Sequence, residues 1–135
     1  MRWTLKALSL TIIVTSVLLA CSRPAARDEV VGTYAMNAGK AHDTLVIYSN
    51  GVYVRRYTSP GALTVTDSGR WTWDKVGEEE RLTFEKFIPR WHDEPSRRVS
   101  KVPGFWSAKP ERNWRGEITI PVERDLGWAY VRLKG

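Results

Sequence analysis

The chain has 135 residues, with 21 Lys+Arg against 15 Asp+Glu, 42% hydrophobic residues and 27% charged ones. That length suits one domain and excludes a catalytic module paired with a second domain, and the composition excludes wholesale disorder. A single cysteine excludes an internal disulfide, a thiolate zinc cluster and a Cys-x-x-Cys redox pair.

Residues 1–6 carry Arg2 and Lys6 and no acid, and residues 7–19 (ALSLTIIVTSVLL) carry no charge at all. At about 1.5 Å per residue that run reaches roughly 20 Å as a helix, short of the ~30 Å hydrocarbon core of a bilayer. A basic start, a short apolar run and a small residue before a cut site describe an export signal over residues 1–20. The tetrad Leu18-Leu19-Ala20-Cys21 resembles the lipobox of bacterial lipoproteins. The resemblance implies cleavage before Cys21 and a lipid on its thiol, so the expected location is the cell envelope and the expected partner is its membrane. Ser22, rather than an aspartate, implies the outer membrane, on its periplasmic side. Residues 21–29 then read as a lipidated polar tether containing Pro24, and residues 30–135 as the folded domain.

From Val30 onward, short alternating runs separated by turn residues predict an all-β domain, a small antiparallel barrel or sandwich of about seven to eight strands. Asp43 to Tyr57 reads as a hairpin closed by Asn50-Gly51, a pair that favours a two-residue type I′ turn. Leu45 and Ile47 fall on one face, with Tyr53, Arg55 and Tyr57 alternating on the partner strand. Further strands are expected at 30–34, 63–66, 69–74, 81–87, 117–122 and 128–133, with turns at Asp74 to Glu80 and at Asp125-Leu126-Gly127. The series Gly32-Thr-Tyr34, Asn50-Gly-Val-Tyr53, Gly69-Arg-Trp-Thr-Trp73 and Leu82-Thr-Phe84 loosely resembles the strand pattern of small lipocalin-like lipoproteins, with Tyr34 where that family's motif has a tryptophan. The resemblance implies a barrel.

Charge concentrates in residues 86–116, which hold eight basic and three acidic residues, together with Trp91, Phe105, Trp106, Trp114 and four prolines. Four prolines forbid a continuous helix there. The segment is expected to be an ordered flap offering Arg90, Trp91, Arg97, Arg98, Lys101, Trp106, Arg112 and Trp114 to an anionic envelope component or an acidic protein surface. The alternative is that the tryptophans are core and the arginines merely solvate the surface. Export argues against nucleic acid.

Nothing in the chain selects catalytic residues: there is no Gly-x-Ser-x-Gly elbow, no phosphate-binding glycine pattern and no distinguished carboxylate pair. His92-Asp93-Glu94 reads as a solvated turn before Pro95 rather than a metal site. The chain is therefore expected to be a non-catalytic binding protein without metal or cofactor, binding an envelope component, a protein or a small amphiphile. A periplasmic inhibitor or immunity protein that blocks a toxin or hydrolase is the alternative.

Overall fold

The computed structural model describes residues 23–38, 41–58, 64–88 and 104–135. The expected export signal, Cys21, and the site candidates Arg90, Trp91, Arg97, Arg98 and Lys101 lie outside these residues, as does His92-Asp93-Glu94.

The domain is all-β, as expected, but with ten strands rather than seven or eight: β1 Arg23–Pro24, β2 Gly32–Ala38, β3 Ala41–Ile47, β4 Val52–Thr58, β5 Thr64–Val76, β6 Glu79–Phe87, β7 Gly104–Ala108, β8 Glu111–Arg112, β9 Ile118–Glu123 and β10 Trp128–Arg132. All pairings are antiparallel, in the order β1-β8-β9-β10-β2-β3-β4-β5-β6-β7. Two of the strands beyond the expected number, β1 and β8, are only two residues long, and such stubs carry no periodicity to read. The runs expected at 63–66 and 69–74 are one thirteen-residue strand, β5.

The sheet curls into a half-barrel, and the chain itself joins its edges. Strands β7 and β8 stand near opposite ends of the order, yet only Lys109 and Pro110 separate them in sequence. Alternation of antiparallel neighbours makes both run in the same direction, so they are one bent strand. Its first half pairs with β6 and its second with β9. A residue without an N–H at the bend suits a point where the ladder partner changes.

The same alternation sorts the connections into two ends. The β2–β3, β4–β5, β6–β7 and β9–β10 connections leave from one end. The β3–β4, β5–β6 and β8–β9 turns, the start of β1 and the end of β10 lie at the other.

Among the described residues, apolar side chains fill the concave face. Tyr34, Met36, Leu45, Ile47, Tyr53, Trp71, Leu82, Phe84, Phe87, Ile118, Ile120 and Tyr130 are buried in one cluster, with Trp73, Trp106 and Trp128 packed against it. Each large apolar side chain so buried contributes about 1.5–3 kcal/mol. The aromatic residues meet at an edge-to-face Tyr53–Phe84 pair, 5.0 Å between centroids, and a stacked Phe84–Trp106 pair at 5.3 Å.

The β3–β4 hairpin departs from its expected turn. Gly51 N donates to Tyr48 O at 3.2 Å, Tyr48 N donates to Val52 O at 2.9 Å, and the loop is Ser49-Asn50-Gly51. Only Gly51 takes a positive φ, 83°, whereas a type I′ turn would require one at Asn50 as well. The Asn50 Oδ1 instead accepts from Val52 N at 3.2 Å, and the Trp71 indole donates to Tyr48 O at 2.8 Å, holding the longer loop. The expected turn between β5 and β6 is also tighter than Asp74 to Glu80, because the strands run to Val76 and resume at Glu79.

Residues 23–29, expected as a tether, lie on the barrel. Arg23 pairs with Arg112, Ala25 N donates to Pro110 O at 3.1 Å, and a 3-10 turn over Arg27–Val30 carries Val30 into the core. Glu29 fastens this turn: its carboxylate accepts from Ala26 N at 2.8 Å and from the Arg112 guanidinium. Those two bonds, the backbone one first, hold the Glu29 carboxyl below the usual carboxylate range. Arg132 donates to Glu29 O at 2.9 Å, and the Tyr34 hydroxyl donates to Val30 O at 2.8 Å.

Candidate functional site

The basic segment is not a single flap. Its described part supplies barrel wall, β7 and β8, while residues 89–103 lie outside the described residues. Phe87 and Gly104 are cross-strand partners, so the connection between them starts and finishes at one place on the rim. A bulge at Glu85 and Lys86, the latter at φ 58°, interrupts the ladder just before it.

Beneath that rim lies an ionic cluster that carries the root of the connection. Arg55 is 1% exposed, and its Nε donates to both oxygens of Asp43 at 3.0 and 2.9 Å while Nη2 donates to Asp43 Oδ2 at 2.5 Å. Its Nη1 donates to Ile88 O at 2.6 Å and lies 3.7 Å from Asp67 Oδ2, the residue opposite it across β4 and β5. The Phe87 ring covers the guanidinium at 4.4 Å. The Tyr130 hydroxyl is buried without a hydrogen bond among the described residues, and burial pushes its ionisation well above the usual tyrosine range. Sequence reasoning placed Arg55 on the face shared with Tyr53 and Tyr57 but did not see that this face points inward. Its position between two aromatic residues was the available signal.

The described members of the expected partner-binding set are separated. Trp106 turns inward, stacked on Phe84 and 4.7 Å from the Phe87 ring, half-buried against the core cluster. Its neighbour Phe105 points outward and is 78% exposed. Arg112 is engaged with Glu29 and with Gly116 O, a structural role. Trp114 is 77% exposed, but on the β8–β9 turn, at the end of the barrel away from the Phe87–Gly104 connection.

Two further features bear on chemistry. A surface groove between β7 and the end of β9 is lined by Glu79, Arg81, Lys109, Glu111 and Arg124. Three of its cations are paired within it, Arg81 with Glu79 at 3.0 Å, Lys109 with Glu79 at 3.4 Å and Arg124 with Glu111 at 2.6 Å, and Glu123 and Asp125 also line it. Among the described residues no group of three or more His, Cys, Asp or Glu side chains could hold a metal ion.

No family model, curated protein or solved structure matches this chain.

Proposed function

We propose that this chain is a lipid-anchored protein of the cell envelope, non-catalytic, whose β-domain is a rigid stand for binding an anionic envelope component. Cys21, within its lipobox-like tetrad, is the anchor, and Ser22 assigns the protein to the outer membrane on its periplasmic side. The connection between Phe87 and Gly104, carrying Arg90, Trp91, Arg97, Arg98 and Lys101, is the recognition element.

The observation that supports this reading best is the filled concave face. Aromatic and aliphatic side chains occupy the positions where a barrel protein would hold a small amphiphile, so binding falls to the outside. The stretch with the strongest excess of positive charge, 86–116, includes the connection that Arg55 pins at Ile88.

Intact mass of the protein extracted from membranes, for wild type and Cys21→Ser, tests the anchor. A mature chain beginning at Cys21 with added acyl groups, absent from the variant, is the expected result, and an unmodified chain would refute it. Binding to phosphate-bearing lipopolysaccharide tests the recognition element. The Arg97→Ala/Arg98→Ala variant is expected to bind at least about tenfold more weakly, equivalent to about 1.4 kcal/mol. Equal binding by variant and wild type would refute the assignment.

A further inference from the structure

We infer that the end of the barrel carrying Trp114, Arg115, Leu133 and Lys134 docks on the anionic surface of the bilayer in which Cys21 is anchored. The inference rests on the reading of Cys21 as lipidated and adds to it an orientation and a contact surface.

Backbone topology comes first. Strand β1 pairs antiparallel with β8 through Arg23↔Arg112 and Pro24↔Glu111. The chain therefore enters β1 at the end where β8 leaves into the Asn113–Gly116 turn. Strand β10 finishes at that same end, because Val131 pairs with Thr119, next to the start of β9 at Ile118. Leu133 and Lys134 come directly after it, and they border a surface groove together with Arg112, Arg115 and Glu117.

Reach comes second. Only two residue steps separate Cys21 from Arg23, at most about 7 Å of extended chain. From Arg23 onward the chain is fixed to the barrel by the Arg23↔Arg112 pair, the Ala25–Pro110 hydrogen bond and buried Val30. A lipid on Cys21 therefore brings this end of the barrel to the headgroups and turns the rim at Phe87 and Gly104 away from them.

The chemistry of this end suits that position. Trp114 is presented to solvent on a turn that Asn113 braces: its Oδ1 accepts from Arg115 N and Glu117 N, both at 2.9 Å. An exposed indole on a braced turn is apolar area ready for the interface between headgroups and chains, where tryptophan concentrates. The Arg115 guanidinium lies 4.8 Å over that indole, and Leu133 beside Lys134 is 50% exposed. The carboxylates nearby are already engaged. Glu29 accepts from Arg112 and lies 3.7 Å from Arg23, and Glu117 accepts from Asn113 Nδ2 at 3.1 Å. Arg115 and Lys134 make no ion pair among the described residues, so their charge is available to anionic headgroups.

The test uses the membrane-extracted, full-length mature protein, reconstituted into phosphatidylcholine vesicles doped with phosphatidylglycerol and carrying brominated acyl chains, which quench nearby indoles. Intact mass is recorded on the same preparation. The expected result is an acylated mass, with quenching in wild type that is reduced in Trp114→Phe and in Arg115→Glu/Lys134→Glu. Unchanged melting temperatures would show that these exposed substitutions leave the fold intact. An acylated mass with equal quenching in wild type and Trp114→Phe would overturn the orientation and leave the anchor standing. An unacylated mass would overturn the anchor and, with it, the orientation.

Discussion

Arg55 and Asp43 form a buried ion pair inside the barrel, with three donor–acceptor contacts between 2.5 and 3.0 Å. Removing two charges from water costs several kcal/mol each, and the mutual attraction offsets this only where hydrogen bonds saturate both groups. Here the remaining Arg55 donor is taken by Ile88 O, and Asp67 lies 3.7 Å away. The arrangement ties β3, β4, β5 and the exit of β6 into one unit. It thereby fixes where the basic connection begins.

Breaking this unit should be costly. Asp43→Ala or Arg55→Met leaves an uncompensated charge in the barrel and is expected to destabilise by about 3–5 kcal/mol, read from urea or thermal unfolding. A loss below about 1 kcal/mol would mean that water reaches the site and that the pair does not hold the rim.

Tyrosine ionisation gives a pH test. Burial pushes both Tyr34 and Tyr53 up to about 12, with the Asp67 carboxylate adding to the effect at Tyr53. Because the folded values lie above the unfolded value near 10, their stabilising contribution is intact below pH 10 and is lost as pH rises toward 12. Each group then lowers stability by up to about 1.4 kcal/mol per pH unit within that window. Melting temperature should fall steeply above pH 10, and Tyr53→Phe should reduce the slope. The phenolate absorbance of Tyr34 and Tyr53 should appear together with unfolding; its appearance in the folded protein at pH 10 would refute the expectation.

A close backbone approach sets the third expectation. A Cβ at Gly69 would lie 2.3 Å from Glu85 O and 2.9 Å from a Tyr53 ring carbon, and Glu85 O already accepts the Tyr53 hydroxyl at 2.7 Å. Backbone on one side and a hydrogen-bonded ring on the other cannot both move aside. Gly69→Ala should destabilise by about 1–3 kcal/mol in denaturant melts. A neutral result would show that β5 and β6 can part here without loss.

Much of the fold was legible in the chain where alternation and turn chemistry agree: β3 with β4, the β6 strand, and the last hairpin closed by Gly127 at φ 68°. The hairpin loop came out one residue longer because tertiary contacts decide it, chiefly Trp71 bonding Tyr48 O and Gly51 O. Strand β7 was hidden because Pro103 and Pro110 flank it and its outward Phe105 and inward Trp106 read as one aromatic patch. The packing of Arg23-Pro24 on the sheet was not legible, because the pair has no pattern of its own and is ordered by β8. Arg55 was hidden for a different reason, since a charge in an alternating strand reads as solvent-facing until its partners, Asp43 and Asp67, are brought beside it by pairing.

The two tryptophans that the sequence grouped together should behave oppositely. Trp106 stacks at 5.3 Å on Phe84, 4.7 Å from Phe87 and 6.1 Å from Tyr130, so Trp106→Ala removes a wall of the aromatic cluster. Large-to-small changes at packed aromatic positions cost several kcal/mol, and for this half-buried residue about 2–4 kcal/mol is expected. Trp114 touches chiefly the Arg115 guanidinium and is mostly in solvent, so Trp114→Ala should stay within about 0.5 kcal/mol of wild type. Paired chemical denaturation curves decide the matter. If Trp106→Ala were silent, the indole would be free to serve recognition after all, and the filled concave face would no longer argue for binding on the outside. If Trp114→Ala were strongly destabilising, its turn would be structural and the proposed membrane contact at this end would lose its main apolar residue.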